Sequence, residues 1–134
     1  MAILADGRTS VAVTGNKTLT AADAGIVQDV QADNVTVTLP ATADGLSFTI
    51  RNNGAKPTGA AAGATADGSA LVVVAPVAAD GVTGNGFTAT VNKGASNTKA
   101  TSKVGDEITV VGNGTTGVTA WTVVYTKGIW ARVA

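Results

Sequence analysis

Apolar and polar positions alternate strictly in two stretches of the chain. Residues 35–39 read VTVTL, so Val35, Val37 and Leu39 share one face of a strand while Thr36 and Thr38 take the other. Pro40 ends the run because it has no N–H to give to a ladder. Residues 46–50 read LSFTI and set Leu46, Phe48 and Ile50 against Ser47 and Thr49. The intervening ADG at 43–45 is a turn signal, so the two stretches are expected to be antiparallel neighbours. Shorter strands are expected at residues 11–13, 26–30, 71–74, 87–91 and 107–111, the last with Ile108 and Val110 on one face. Between the first two lies LTAADAG at 19–25, which predicts a single helical turn. Thr20 caps it, Asp23 stands at its favourable end, Gly25 closes it in a left-handed conformation, and Leu19 pins it to the core.

The final stretch, VTAWTVVYTKGIWARV at 118–133, carries most of the aromatic mass. Trp121, Val123 and Tyr125 are spaced by two and are expected on one strand face. The TKG at 126–128 predicts a hairpin turn, because glycine adopts positive φ at low cost. This hairpin, with Trp121, Tyr125 and Trp130, is expected to form the core together with Phe48, Val35, Val37 and Leu39.

Two stretches lack an apolar period. Residues 55–68, AKPTGAAAGATADG, predict a low-complexity flexible loop or arm. Residues 92–103, NKGASNTKATSK, predict a polar loop carrying Lys93, Lys99 and Lys103. The ADG tripeptide recurs, centred on Asp6, Asp44, Asp67 and Asp80, at unequal intervals, which marks repeated turn chemistry and not a repeat architecture. About eight or nine short strands separated by turns predict an all-β fold. The expected form is a single-domain antiparallel β-sandwich, jelly roll or small barrel with long flexible loops, a size that 134 residues suit.

Composition narrows the function more than the fold. Charged residues make up 13% of the chain, against roughly a quarter in ordinary soluble domains, and nine bases balance nine acids. Such a surface lacks the clustered cations that nucleic acid requires, and it leaves much area for contact with other chains. The chain has no Cys and no His, which excludes disulfides, Ser-His and Cys-His nucleophile systems, and the usual zinc sites. Asp106 and Glu107 are adjacent, but neighbours on a strand point to opposite faces and make a poor acid–base pair. The other aspartates mostly sit in Asp-Gly turns, and no loop has the ligand density of a calcium site. The GNG tripeptides at 84–86 and 112–114 precede no helix that could hold a phosphate. No catalytic, cofactor or metal residue is therefore expected. The N-terminal MAILAD lacks the features of a secretory signal, and the longest apolar run, at 70–79, is too short to cross a bilayer, so no membrane partner is expected.

The order of certain motifs adds a resemblance. KTLTAADAG at 17–25, VTVTLP at 35–40, GLSFTIRN at 45–52, GDEITVV at 105–111, Trp121 and GIW at 128–130 together resemble small β-rich virion proteins of tailed bacteriophages. The pattern is similar to head decoration (capsid cement) proteins, and more loosely to modules of tail fibres. The resemblance implies a non-enzymatic structural protein, commonly a homotrimer at threefold and quasi-threefold capsid positions, with the major capsid protein as partner. It implies neither nucleic acid nor a small-molecule substrate, and a place on the capsid exterior after synthesis in the host cytoplasm. Lys56 on the arm and Lys93, Lys99 and Lys103 on the polar loop are the candidate capsid contacts. The alternative is a tail-fibre or baseplate module binding a host glycan or another tail protein. A polysaccharide-acting enzyme is disfavoured by the shortage of catalytic residue types.

Overall fold

A computed structural model of the chain describes residues 1–54, 70–84 and 86–133. The expected arm at 55–68, with Lys56, lies outside the described residues. In chain order the strands are β1 (Ala2–Ile3), β2 (Thr9–Val13), β3 (Lys17–Thr18), β4 (Val27–Val30), β5 (Val35–Thr38) and β6 (Ser47–Asn52). They continue with β7 (Val72–Ala75), β8 (Val82–Gly84), β9 (Ala95–Asn97), β10 (Asp106–Gly112), β11 (Trp121–Lys127) and β12 (Ala131–Arg132). A seven-stranded sheet has the order β1-β2-β4-β6-β10-β11-β8, and a five-stranded sheet the order β12-β9-β7-β5-β3. One hydrophobic cluster, including Val30, Phe48, Ile50, Ile108 and Trp121 from the first sheet and Val35, Val37, Val72 and Val74 from the second, fills the space between them. The fold is an all-β sandwich.

The sheets are mixed, not antiparallel. From β2 to β10 each successive strand lies in the opposite sheet from the one before, so the first half of the chain winds as a flattened coil. Each return lays a strand parallel to its predecessor, as β4 on β2, β6 on β4, β5 on β3 and β7 on β5. The expected antiparallel pairing of residues 35–39 with 46–50 is therefore absent, since β5 and β6 lie in different sheets. The turn chemistry between them is as expected: Gly45 has φ +74° and the Leu46 N–H donates to the Ala43 carbonyl. The same local turn serves a hairpin or an arch across the ~10 Å between packed sheets, and the apolar faces decide which.

The C-terminal stretch corrects a second expectation. Gly128 does turn the chain, at φ +86°, but β11 stays in the seven-stranded sheet while β12 crosses to pair with β9. A Cβ at Gly128 would collide with the Asp106 carboxylate, so the turn is pressed onto β10. Trp121, Trp130, Phe48, Val35, Val37 and Leu39 are buried as expected, with the Phe48 and Trp121 ring centroids 5.6 Å apart. Tyr125 is not a core residue; it is 50% exposed. The cause is a break in register on β11. Val123 faces Val110 and Tyr125 faces Thr109, which leaves Val124 as an extra residue and turns Tyr125 onto the outer face.

Local readings fare better than pairings. Thr20 and Asp23 form a capping box on a 3-10 turn, Ala21–Asp23, and Leu19 beside it is buried. No strand forms over 87–91; Phe87 only bridges back to Gly84, and the strand in this region is β8. The polar loop at 92–103 contains β9, with Lys93 and Lys99 beyond its opposite ends. A buried polar chain ties the sheets together. Asn52 Nδ2 donates to Asn97 Oδ1 at 2.6 Å, and Asn97 Nδ2 donates to Asp106 Oδ2 at 3.0 Å and to the Ile129 carbonyl at 2.9 Å.

Candidate functional site

The outer face of the seven-stranded sheet carries the site. Strand alternation sends Asp106 inward to Asn97 and Glu107 outward, as expected from their adjacency. Register then aligns Asp29 on β4, Arg51 on β6, Glu107 on β10 and Lys127 on β11 in one row across four strands. Charges of alternating sign thus stand as cross-strand neighbours, an arrangement that favours pairing over repulsion. Two residues further along β10, Thr109 stands between Thr49 and Tyr125, and the two threonine hydroxyls are hydrogen-bonded at 2.8 Å.

The loop from β1 to β2 folds over this row. The Gly7 N–H donates to the Leu4 carbonyl at 2.9 Å, with φ +89° at Gly7, and this turn brings Arg8 across to Glu107. Arg8 grips Glu107 with both terminal nitrogens, Nη1 to Oε2 at 2.9 Å and Nη2 to Oε1 at 2.6 Å, and its Nε donates to Asp6 Oδ2 at 2.8 Å. The Glu107 side chain is 8% exposed and the Arg8 side chain 41%, so the carboxylate is largely removed from water while the guanidinium still meets solvent. Hydrogen bonds from the Arg8 side chain and backbone hold the Asp6 carboxyl below the usual carboxylate range. Glu107 first and Asp6 second raise the Arg8 pKa, so the guanidinium keeps its charge. Arg51 Nη1 lies 3.6 Å from Asp29 Oδ1. The result is an open cleft of about 450 Å³ floored by Gly105, Glu107 and Thr109 and rimmed by Leu4, Tyr125 and Lys127.

A second feature adjoins the cleft. Strand β8 pairs with β11 only from Trp121 to Val123. It stops there because the chain folds back at Gly84, where the Phe87 N–H donates to the Gly84 carbonyl at 3.0 Å. From Val124 onward the outer edge of β11 has no strand partner among the described residues. Val124, Tyr125 and Ile129, on or beside that edge, are 58%, 50% and 61% exposed.

The structure separates the candidate lysines. Lys99 forms an ion pair with Asp33, whose carboxylate also accepts the Leu71 N–H. Lys103 is exposed, and its backbone N–H donates to Asp106 at 2.9 Å. Lys93 lies toward the other end of β9, where its carbonyl accepts the Val82 N–H. They do not form one patch. The residues that do converge, Asp6, Arg8, Arg51, Glu107 and Lys127, carry a weak sequence signal: Arg51 and Glu107 are outward positions in alternating strands. Their convergence joins residues 99 apart, as in Arg8 and Glu107, and depends on strand order. Among the described residues no group of three His, Cys, Asp or Glu side chains could hold a metal ion. Comparison with known proteins gives neither a matching family model nor a matching curated protein.

Proposed function

We propose that the protein is a structural component of a phage particle, a decoration protein that stabilises the head by bridging major capsid subunits. The observation that carries this reading is the open apolar edge of β11. An exposed strand edge flanked by Val124, Tyr125 and Ile129 is an aggregation hazard in a free monomer and a ready docking site in an assembly. On β11 only Lys127, at the far end of this edge, could blunt it by repulsion. The carboxylates nearest this edge serve structure: Glu107 is gripped by Arg8 and Asp106 is bound into the asparagine chain. The motif order, which resembles that of head decoration proteins, favours the same reading and adds the expectation of a trimer. A trimer on a repeating lattice engages several copies of one patch, so each contact can be weak.

The test is co-sedimentation of the purified chain with undecorated heads, alongside its mass in solution. Binding is expected to heads and not to unassembled shell subunits, and bound protein should raise the temperature at which heads disrupt. Thr126→Pro, which blocks the strand edge, should abolish binding while leaving a cooperative unfolding transition. Absence of binding to heads would refute the proposal, and binding to a cell-surface glycan in its place would move the reading to a tail-fibre module.

A further inference from the structure

The charges lining the cleft do not all cancel. Arg8 is saturated by Glu107 and Asp6. Asp29 Oδ1 lies 3.6 Å from Nη1 of Arg51, beyond hydrogen-bond distance. Lys127, opposite Glu107 on the neighbouring strand, has no ion pair among the described residues, because Glu107 turns its carboxylate to Arg8. Gly105 lies close to both cations. A Cβ built on it would lie 3.8 Å from Arg51 Nη2 and 3.8 Å from Lys127 Nζ. The two nitrogens are therefore no more than about twice that distance apart, although their strands flank β10 on opposite sides. Gly105 holds φ +96°, a conformation a side chain would strain, so this floor stays bare.

We infer that Arg51 Nη2 and Lys127 Nζ form an oxyanion-binding subsite over Gly105, taking a carboxylate or a phosphate. Charge-assisted N–H···O bonds of roughly 2.8 Å at each end, with the ~2.2–2.5 Å between two oxygens of one group, span at most about 8 Å. The gap lies within that reach. Two like charges facing an open cleft repel, and an anion between them removes the repulsion. Of the carboxylates around the cleft, Glu107 and Asp6 are held by Arg8 and oppose the ligand weakly, while Asp29, 3.6 Å from Arg51 Nη1, is the charge the ligand must compete with. The Tyr125 ring and Leu4 on the rim offer apolar contact to whatever carries the anion. A subsite of two partly exposed cations should bind a free anion with a dissociation constant on the order of millimolar, weakening as salt rises. The inference does not depend on the capsid reading; a protein that ignores phage heads would keep this subsite.

The experiment is an amide-resolved NMR titration of the full chain with inorganic phosphate and, separately, with glutarate, at constant ionic strength set with sodium chloride. Saturable shifts centred on Gly105, Arg51 and Lys127 are expected in at least one arm. Phosphate alone would indicate a phosphate ligand; response to both would indicate a general oxyanion site open to a carboxylate side chain. Lys127→Gln should weaken binding at least about fivefold, and Lys103→Gln should leave it unchanged. Arg51→Gln should act like Lys127→Gln, but it strands Asp29, so Lys127→Gln is the deciding variant. Linear shifts spread over all the lysines, no response in either arm, or unchanged binding in Lys127→Gln would overturn the inference.

Discussion

Asn97 joins the two sheets by hydrogen bonds at the Gly128 end of the sandwich, and its removal should be costly. It is fully buried on β9 and makes three bonds: one accepted from Asn52, one donated to the Asp106 carboxylate and one to the Ile129 carbonyl. Two neutral bonds contribute about 0.5–1.5 kcal/mol each, and one to an ionised group about 1.5–3 kcal/mol. In Asn97→Ala the surviving partners keep some bonds: Asn52 Nδ2 still reaches the Ala70 carbonyl at 3.2 Å, and Asp106 Oδ2 keeps the Lys103 N–H. A water entering the vacated polar space recovers part of the rest. The net loss should be about 3 kcal/mol, or roughly 10–15 °C in melting temperature for a chain of this size. Ser96→Ala, at the neighbouring position, removes only a 3.5 Å contact to the Ala131 carbonyl and should shift stability by under about 0.5 kcal/mol. Urea unfolding of both variants at neutral pH measures the difference. A loss in Asn97→Ala below about 1 kcal/mol would show that the asparagine chain does not hold the sheets together.

Two further outcomes follow from burial and charge. Trp121→Ala should lose roughly 3–5 kcal/mol, because the ring is fully buried against Phe48, whereas Tyr125→Ala should lose under about 1 kcal/mol; equal losses in chemical denaturation would contradict the bulge. Asp33, through Lys99 and then the Leu71 N–H, and Asp6, through Arg8, have pKa values below the unfolded value, so their stabilisation is present above about pH 4 and is lost as pH falls through the folded values. With no His in the chain, the urea midpoint should be nearly flat from about pH 5 to 8 and drop below about pH 4, and Lys99→Ala should shrink that drop; a midpoint rising on acidification would refute the assignment.

Much of the local structure was legible because its causes are local. Alternation marked the faces of β5 and β6, and their Val35, Val37, Phe48 and Ile50 are buried where the period puts them. Thr20, Asp23 and Gly25 spelled out the short helical turn, and the adjacency of Asp106 and Glu107 sent them to opposite faces. Pairing was not legible. Asp-Gly turn chemistry describes a few residues and is the same whether the next strand returns alongside or crosses to the facing sheet, so β5 and β6 part company despite a well-formed turn. One extra residue, Val124, reverses the face of everything after it on β11, and so moves Tyr125 from the expected core to the rim of the cleft. The cleft is the extreme case. Asp29, Arg51, Glu107 and Lys127 are far apart in the chain, and each alone reads as an ordinary outward charge on a strand. Only the order β4-β6-β10-β11 sets them side by side, and only the reach of Arg8 across the sheet leaves Arg51 and Lys127 facing one another over Gly105.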